Sequence, residues 1–169
     1  LGIQNFVKTC VTGFLMEKEI YYLNLVCHAN TKPLAAIIGG SKISTKLRVI
    51  KSLMNKCNKI FIGGGMANTF LKAKGFDVGS SLVENNMLDE VKEIEDAAQN
   101  SNVELLLPID VVISKSYSND SDHRIINVGD SCDEWMILDI GPKTVELYKE
   151  KFTDCKTIIW NGPMGVFEL

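Results

Sequence analysis

Lys42 and Lys46 stand four residues apart, directly after Gly39-Gly40-Ser41. Ammonium groups beside a glycine turn are the residue types that neutralise phosphate oxygens, and a spacing of four puts both on one side of a helical turn. The glycine pair ends the apolar run Leu34-Ala-Ala-Ile-Ile38, which reads as a strand buried on both faces. Beyond it, Ile43, Leu47, Ile50 and Met54 fall on one helical face. The lysines would thus occupy a helix start, where the macrodipole disfavours cations unless an anion joins them. Phosphate binding and plain solvation of an exposed helix face both stand open from this stretch. It is not a P-loop, because the Gly-x4-Gly-Lys-Ser/Thr spacing is absent.

Two further turns repeat this grammar. Lys59-Ile-Phe-Ile62 reads as a short strand and runs into Gly63-Gly64-Gly65, after which Met66 to Lys74 reads as a helix stopped by Gly75. Three glycines let backbone approach a flat or charged ligand, or let a helix pack tightly on a sheet; both readings stand. Thr157-Ile-Ile-Trp160 is the last strand, and Asn161-Gly162-Pro163-Met164-Gly165 forms a loop at its carboxyl end.

The remaining elements must place these turns. Phe14 begins a helix expected to end near Asn30 and Pro33, either a connector or an ordinary packing helix. Gly79 to Val83 is a loop, and Asn86 to Asn100 is an acidic amphipathic helix with Leu88, Val91, Ile94 and Ala98 inward. Val103 to Leu107 is a strand broken by Pro108, and Ile109 to Ile113 is extended. Ser116 to Asp122 is a polar surface loop, Arg124 to Val128 an edge strand, and Trp135 to Asp139 an apolar strand closed by Ile140-Gly141-Pro142. A helix then runs from Lys143 to Phe152, with Pro142 at its first position. Strands alternating with helices point to a parallel α/β sheet, whose ligands sit outside the carboxyl ends of the strands. The glycine turns converge there, which favours the phosphate reading.

Composition narrows the class. The length of 169 residues suits one domain with a good core. A net charge of −3 and only two arginines, Arg48 and Arg124, argue against a nucleic-acid binder. No apolar run reaches bilayer length and no signal peptide precedes the first element, so a cytoplasmic protein without membrane contact is expected. Cysteines at 10, 27, 57, 132 and 155, with no Cys-x-x-Cys and isolated His28 and His123, point to reduced thiols and to no metal centre.

Four stretches together carry a family likeness: Gly39-Gly40-Ser41-Lys42-x-Ser44-x-Lys46, Gly63-Gly64-Gly65-Met66-Ala67, Leu138-Asp139-Ile140-Gly141-Pro142, and Trp160 through Glu168. The chain resembles the phosphoglycerate kinases along essentially its whole length, and Gly13 to Glu19 resembles the helix joining that family's two domains. The resemblance implies a Rossmann-like, three-layer nucleotide-binding domain over residues 31–169, incomplete at its C-terminal end, with residues 1–30 as the interdomain linker and helix. It also implies phosphoryl transfer between 1,3-bisphosphoglycerate and ADP, giving 3-phosphoglycerate and MgATP.

By that resemblance Lys42 and Lys46 are the catalytic lysines, contacting nucleotide phosphates and the phosphoryl in flight. Gly40 and Ser41 belong to the same nucleotide-binding turn. Gly64, Gly65, Leu82 and Leu138 would line the adenine slot, with Ile137 where many members carry glycine. Asn161 would reach the phosphates, Pro163 would pack on the nucleoside, Glu168 would accept the ribose hydroxyls, and Gly162 and Phe167 would belong to the same nucleotide site. The family's later glycine-rich stretch, with the aspartate that holds Mg2+, does not occur in the chain, nor does the glycerate-binding N-terminal domain. The chain is therefore expected to be inactive alone and to self-associate, with a monomeric parent. A non-catalytic nucleotide- or phosphate-binding α/β module is the alternative reading.

Overall fold

The computed structural model describes residues 2–27 and 32–169. Contacts divide the chain into two units, Leu1–Asn30 and Thr31–Leu169. The first holds a 3-10 turn, Ile3–Phe6, and helix α1, Phe14–Cys27, whose apolar residues are spread around its circumference rather than gathered in one stripe. The expected helix end near Asn30, and His28, lie outside the described residues.

The second unit is built on a four-stranded parallel sheet. Its strands are β1 (Leu34–Ile38), β2 (Lys59–Ile62), β3 (Glu104–Leu106) and β7 (Thr157–Asn161), in the order β3-β2-β1-β7. β1 lies between β2 and β7, with Ala36 opposite both Ile60 and Ile159. That position explains why all five residues of Leu-Ala-Ala-Ile-Ile are buried.

Alternate residues of β1 feed two cores. Leu34, Ala36 and Ile38 pack with helices α2 (Leu47–Met54), α3 (Gly65–Ala73) and α4 (Leu88–Asn100), through Ile50, Met54, Met66, Phe70, Val91 and Ile94. Ala35 and Ile37 face the other way, towards Phe61 and Leu106 and towards Tyr148 of α5 (Pro142–Phe152). The result is three layers. Each fully buried isoleucine or phenylalanine contributes roughly 1.5–3 kcal/mol. The phenol of Tyr148 donates within the second core to the carbonyl of Ile62 (2.9 Å) or Leu106 (3.2 Å), and burial pushes its pKa up, keeping it neutral. Cys57 and Cys132 are buried thiols, each pushed up to about 11 by burial, so neither is poised to react.

Two expectations need correction. The first concerns residues 103–140, where four strands follow one another without a helix. A parallel neighbour needs a crossover long enough to hold one. Instead β4 (Asp110–Ser114), β5 (His123–Asn127) and β6 (Met136–Ile140) form a separate antiparallel sheet, ordered β5-β4-β6. A bulge lies between Val112 and Ile113 on the β6 side. The second concerns α2, which begins at Leu47 rather than Ile43. Thr45 donates its hydroxyl to the carbonyl of Lys42 (2.9 Å), and this local bond competes with helix extension. Ile43 is nonetheless fully buried beside Ile50 and Met54, so the apolar face is as expected.

α3 ends as its sequence predicts. Gly75 is left-handed (φ 86), its N–H donates to Lys72 (2.9 Å), and the Phe76 N–H reaches back to Leu71 (3.1 Å).

The outer edge of β7 has no strand partner among the described residues, and Ile158 and Trp160 are 48% and 66% exposed. Such an edge templates pairing with another chain. Light scattering of the chain at rising concentration is expected to show the mass climbing above 18.7 kDa, and Ile158→Lys should suppress the rise. A constant single-chain mass throughout would contradict this.

Candidate functional site

The carboxyl ends of β1, β2 and β7 run into the three glycine loops, and those loops are laced together by backbone. Gly39 N–H donates to Asn161 (2.9 Å), Gly40 N–H to Pro163 (2.9 Å), Gly64 N–H to Met164 (2.6 Å) and Met66 N–H to Gly40 (2.9 Å). Glycine is required where the strands of backbone cross. Gly64 has φ 68, and a Cβ there would sit 2.7 Å from both the nitrogen and the oxygen of Gly40. At Gly162 (φ 85) a Cβ would lie 2.3 Å from the Gly39 oxygen. These two glycines are accounted for by close packing of loop on loop.

Beside this lacing opens a cleft of about 440 Å³, within the range of small-ligand sites. Gly40, Ser41, Gly64, Gly65, Leu82, Ile137, Leu138, Pro163, Phe167 and Glu168 all line it. A Cβ on Gly65 would meet the Ser41 oxygen at 3.2 Å and Leu82 Cδ2 at 3.5 Å, so that glycine keeps one wall thin. Apolar Leu82, Ile137, Leu138 and Pro163 share the lining with glycine backbone, a composition that suits a flat heterocycle. Glu168 provides an acidic group exposed at the rim.

Four of the expected residues are not in the lining. Lys46 and Asn161 meet one another, the ammonium donating to the side-chain oxygen of Asn161. Lys46 also lies near Gly40, its Cε 3.8 Å from the position a Cβ would take there. Gly162 anchors the third loop, its carbonyl accepting from the Trp160 indole (2.8 Å). Lys42 is exposed and precedes the helix, so it does not share a helical turn with Lys46 as its spacing predicts. The pair brought together at the loop crossing is Lys46 and Asn161.

The start of α2 already has an anion. The Glu84 carboxylate accepts the Ser44 N–H (3.0 Å) and the Ser44 hydroxyl (2.6 Å). Burial alone would raise its pKa, but the Ser44 bonds, the Ile43 N–H and the charge of Lys42 outweigh it and hold the carboxyl below its ordinary value. The backbone donor of Ser44, in the turn that leads into α2, is therefore occupied by protein.

Sequence reasoning missed several cleft residues. Asn68, Tyr117, Gly165, Val166 and Leu169 also line it. Asn68 is 1% exposed, donates weakly to the Leu82 carbonyl (3.4 Å), and leaves its Oδ1 without a partner. Its signal in the sequence is a lone amide inside the otherwise buried stretch Met66–Leu71. Tyr117 could have been noticed as the one aromatic in a loop of small polar residues.

Comparison with known proteins bears on what such a cleft serves. A family model described as "Phosphoglycerate kinase" matches residues 1–169. The curated phosphoglycerate kinases of Thermosynechococcus vestitus and Prochlorococcus marinus (strain MIT 9301) are each 50% identical over 167 residues, covering 99% of this chain and 42% of theirs. The solved phosphoglycerate kinase from Coxiella burnetii superposes with a TM-score of 0.87 at 40% identity, covering 92% of this chain and 40% of that one. The enzyme from Pyrococcus horikoshii OT3 gives 0.77 at 31% identity, covering 94% and 40%. The chain thus spans about two fifths of the length of the curated relatives it matches.

Proposed function

The chain belongs to the phosphoglycerate kinase family, and from that we propose that it supplies the adenine-nucleotide side of reversible phosphoryl transfer between 1,3-bisphosphoglycerate and ADP. The observation that carries the reading is the contact of Lys46 with Asn161, at a crossing of glycine loops beside a cleft with apolar and backbone walls.

Each group has a task suited to its chemistry. Gly65, Leu82, Ile137 and Leu138 would sandwich the base, and Glu168 would accept hydrogen bonds from the ribose hydroxyls. Asn161 would hold the Lys46 ammonium towards the phosphates, where it offsets charge spread over the transferring oxygens. Lys42, more exposed, would add a second positive charge. Magnesium carried by the nucleotide would share that neutralisation. Among the described residues no group of three or more His, Cys, Asp or Glu gathers in a metal-binding arrangement, and no helix is long and apolar enough to cross a membrane. Transfer needs both substrates aligned. The glycerate side is expected from the N-terminal domain of the full-length protein, and this chain alone is expected to be inactive.

Nucleotide binding is tested by thermal unfolding with ADP, ATP and adenosine. A ligand held by the folded state adds about 2.7 kcal/mol at a hundredfold excess over its Kd. ADP and ATP are expected to raise the melting temperature more than adenosine does, because the lysines act on phosphates. Identical curves with and without millimolar ADP would overturn the reading.

A further inference from the structure

We propose that Glu84 is the positioning residue for phosphate binding: it holds the lysine-bearing turn 41–46 in place by clamping Ser44. The inference rests on the nucleotide reading of the site.

Lys42 and Lys46 sit on a turn rather than inside a helix, so regular helical bonding does not fix the turn's outer half. Within the turn Thr45 bonds the Lys42 carbonyl and the Lys46 and Leu47 N–H groups bond Ile43, and the side-chain tie from outside it lies 40 residues away. Glu84 takes both donors of Ser44, at 3.0 and 2.6 Å. Glu84 is itself tied down, since its N–H donates to the hydroxyl of Thr69 (3.2 Å), a residue 1% exposed in α3. A line of bonds therefore runs from the buried helix through Thr69, Glu84 and Ser44 to the turn. Ser44 lies midway between the two lysines, so its displacement moves both. Charge-assisted hydrogen bonds of this kind are short and about twice as strong as neutral ones.

The sign of the effect is informative. A carboxylate near a phosphate site is, by charge alone, unfavourable to anions, so removing it would tighten ADP binding if Glu84 were merely a nearby charge. Removing a clamp does the opposite. The clamp is expected to dominate, because both Ser44 donors consume the carboxylate and orient it to the protein.

The test compares ADP and adenosine titrated into this chain by ligand-observed NMR, in the unaltered form and as Glu84→Ala, Glu84→Gln and Ser44→Ala. Glu84→Ala should weaken ADP about tenfold, the loss of roughly 1.4 kcal/mol, and leave adenosine within about twofold. Glu84→Gln keeps one acceptor and should fall between. Ser44→Ala, which loses one donor and leaves the charge, should reproduce the ADP-selective loss at smaller size. Unchanged or tighter ADP binding in Glu84→Ala would overturn the proposal, and so would equal weakening of ADP and adenosine, which marks general damage to the fold. Should the unaltered chain bind neither ligand, it is the nucleotide reading that fails, and this inference falls with it.

Discussion

Lys46→Ala, placed in the full-length protein, should lower turnover about a hundredfold or more, since removing one preorganised charge-stabilising group typically costs ~3 kcal/mol of barrier. Folding should hardly notice. Lys46 is only half-buried, and its side chain meets the exposed Asn161. Substitutions of this kind usually change stability by less than about 0.5 kcal/mol. The two measurements separate the readings, because a lysine that merely solvates a turn affects neither quantity. Lys46→Arg is expected to recover little, since a planar fork cannot take the place of a compact ammonium against Asn161. Near-normal turnover of Lys46→Ala would show that phosphate charge is met elsewhere.

Asp110→Ala should produce the largest loss of stability from a single polar side chain. Asp110 is fully buried at the start of β4, and its carboxylate accepts from Lys143 N–H (2.9 Å), Thr144 N–H (2.7 Å) and the Thr144 hydroxyl (2.6 Å). It thus caps the first turn of α5 from another element, and ties the antiparallel sheet to the helix behind the parallel one. Removal leaves the Lys143 and Thr144 N–H groups without their acceptor, at ~1–3 kcal/mol each, while the Thr144 hydroxyl keeps the Asp110 carbonyl (2.9 Å). Some relaxation will occur, so a net loss of about 3 kcal/mol is expected, or roughly 6–12 °C in Tm for a chain of this size.

The same residue predicts a pH dependence. Burial alone would raise its pKa, but the Thr144 hydroxyl, the Lys143 and Thr144 N–H groups and the Lys143 charge outweigh that and hold the carboxyl below its ordinary value. Its stabilisation is therefore complete above the unfolded value of about 3.9 and lost as pH falls through the folded one. Native and variant unfolding curves should converge on acidification. A gap that stays constant to low pH, or a loss below about 1 kcal/mol, would show the cap to be incidental.

Local signals carried well in this chain. The five apolar residues of β1, the Gly75 stop of α3 and Pro142 at the start of α5 are each readable over a few neighbours, and each appears in the fold as expected. Of the ten expected nucleotide residues that line one cleft, seven (Gly40, Ser41, Gly64, Gly65, Pro163, Phe167 and Glu168) do so because their loops follow parallel strands, whose carboxyl ends must share an edge, whereas Leu82, Ile137 and Leu138 reach it from the loop after α3 and from β6. What could not be read depends on partners distant in sequence. The hold of Glu84 on Ser44 and of Asp110 on Thr144 joins residues no periodicity connects. The antiparallel sheet was hidden for a different reason: its strands look like the others, and only the missing helices between Glu104 and Ile140 betray it. Lys42 was misplaced because Thr45 bonds back to its carbonyl and delays the helix.

The place of β1 at the middle of the sheet has a consequence for how the protein is made. One neighbour, β2, follows it soon in the chain, whereas the other, β7, comes at the far end. Translation at about 5–20 residues per second leaves the Leu34–Ile38 strand with one bare edge for on the order of ten seconds. Neither Gly39 nor Gly40 has its loop partner during that time, since Asn161 and Pro163 are not yet made. A nascent chain stalled just before Thr157 is thus a different object from one in which β7 has been made. It offers an open apolar strand to any passing chain or chaperone, and it has no cleft for a nucleotide to enter.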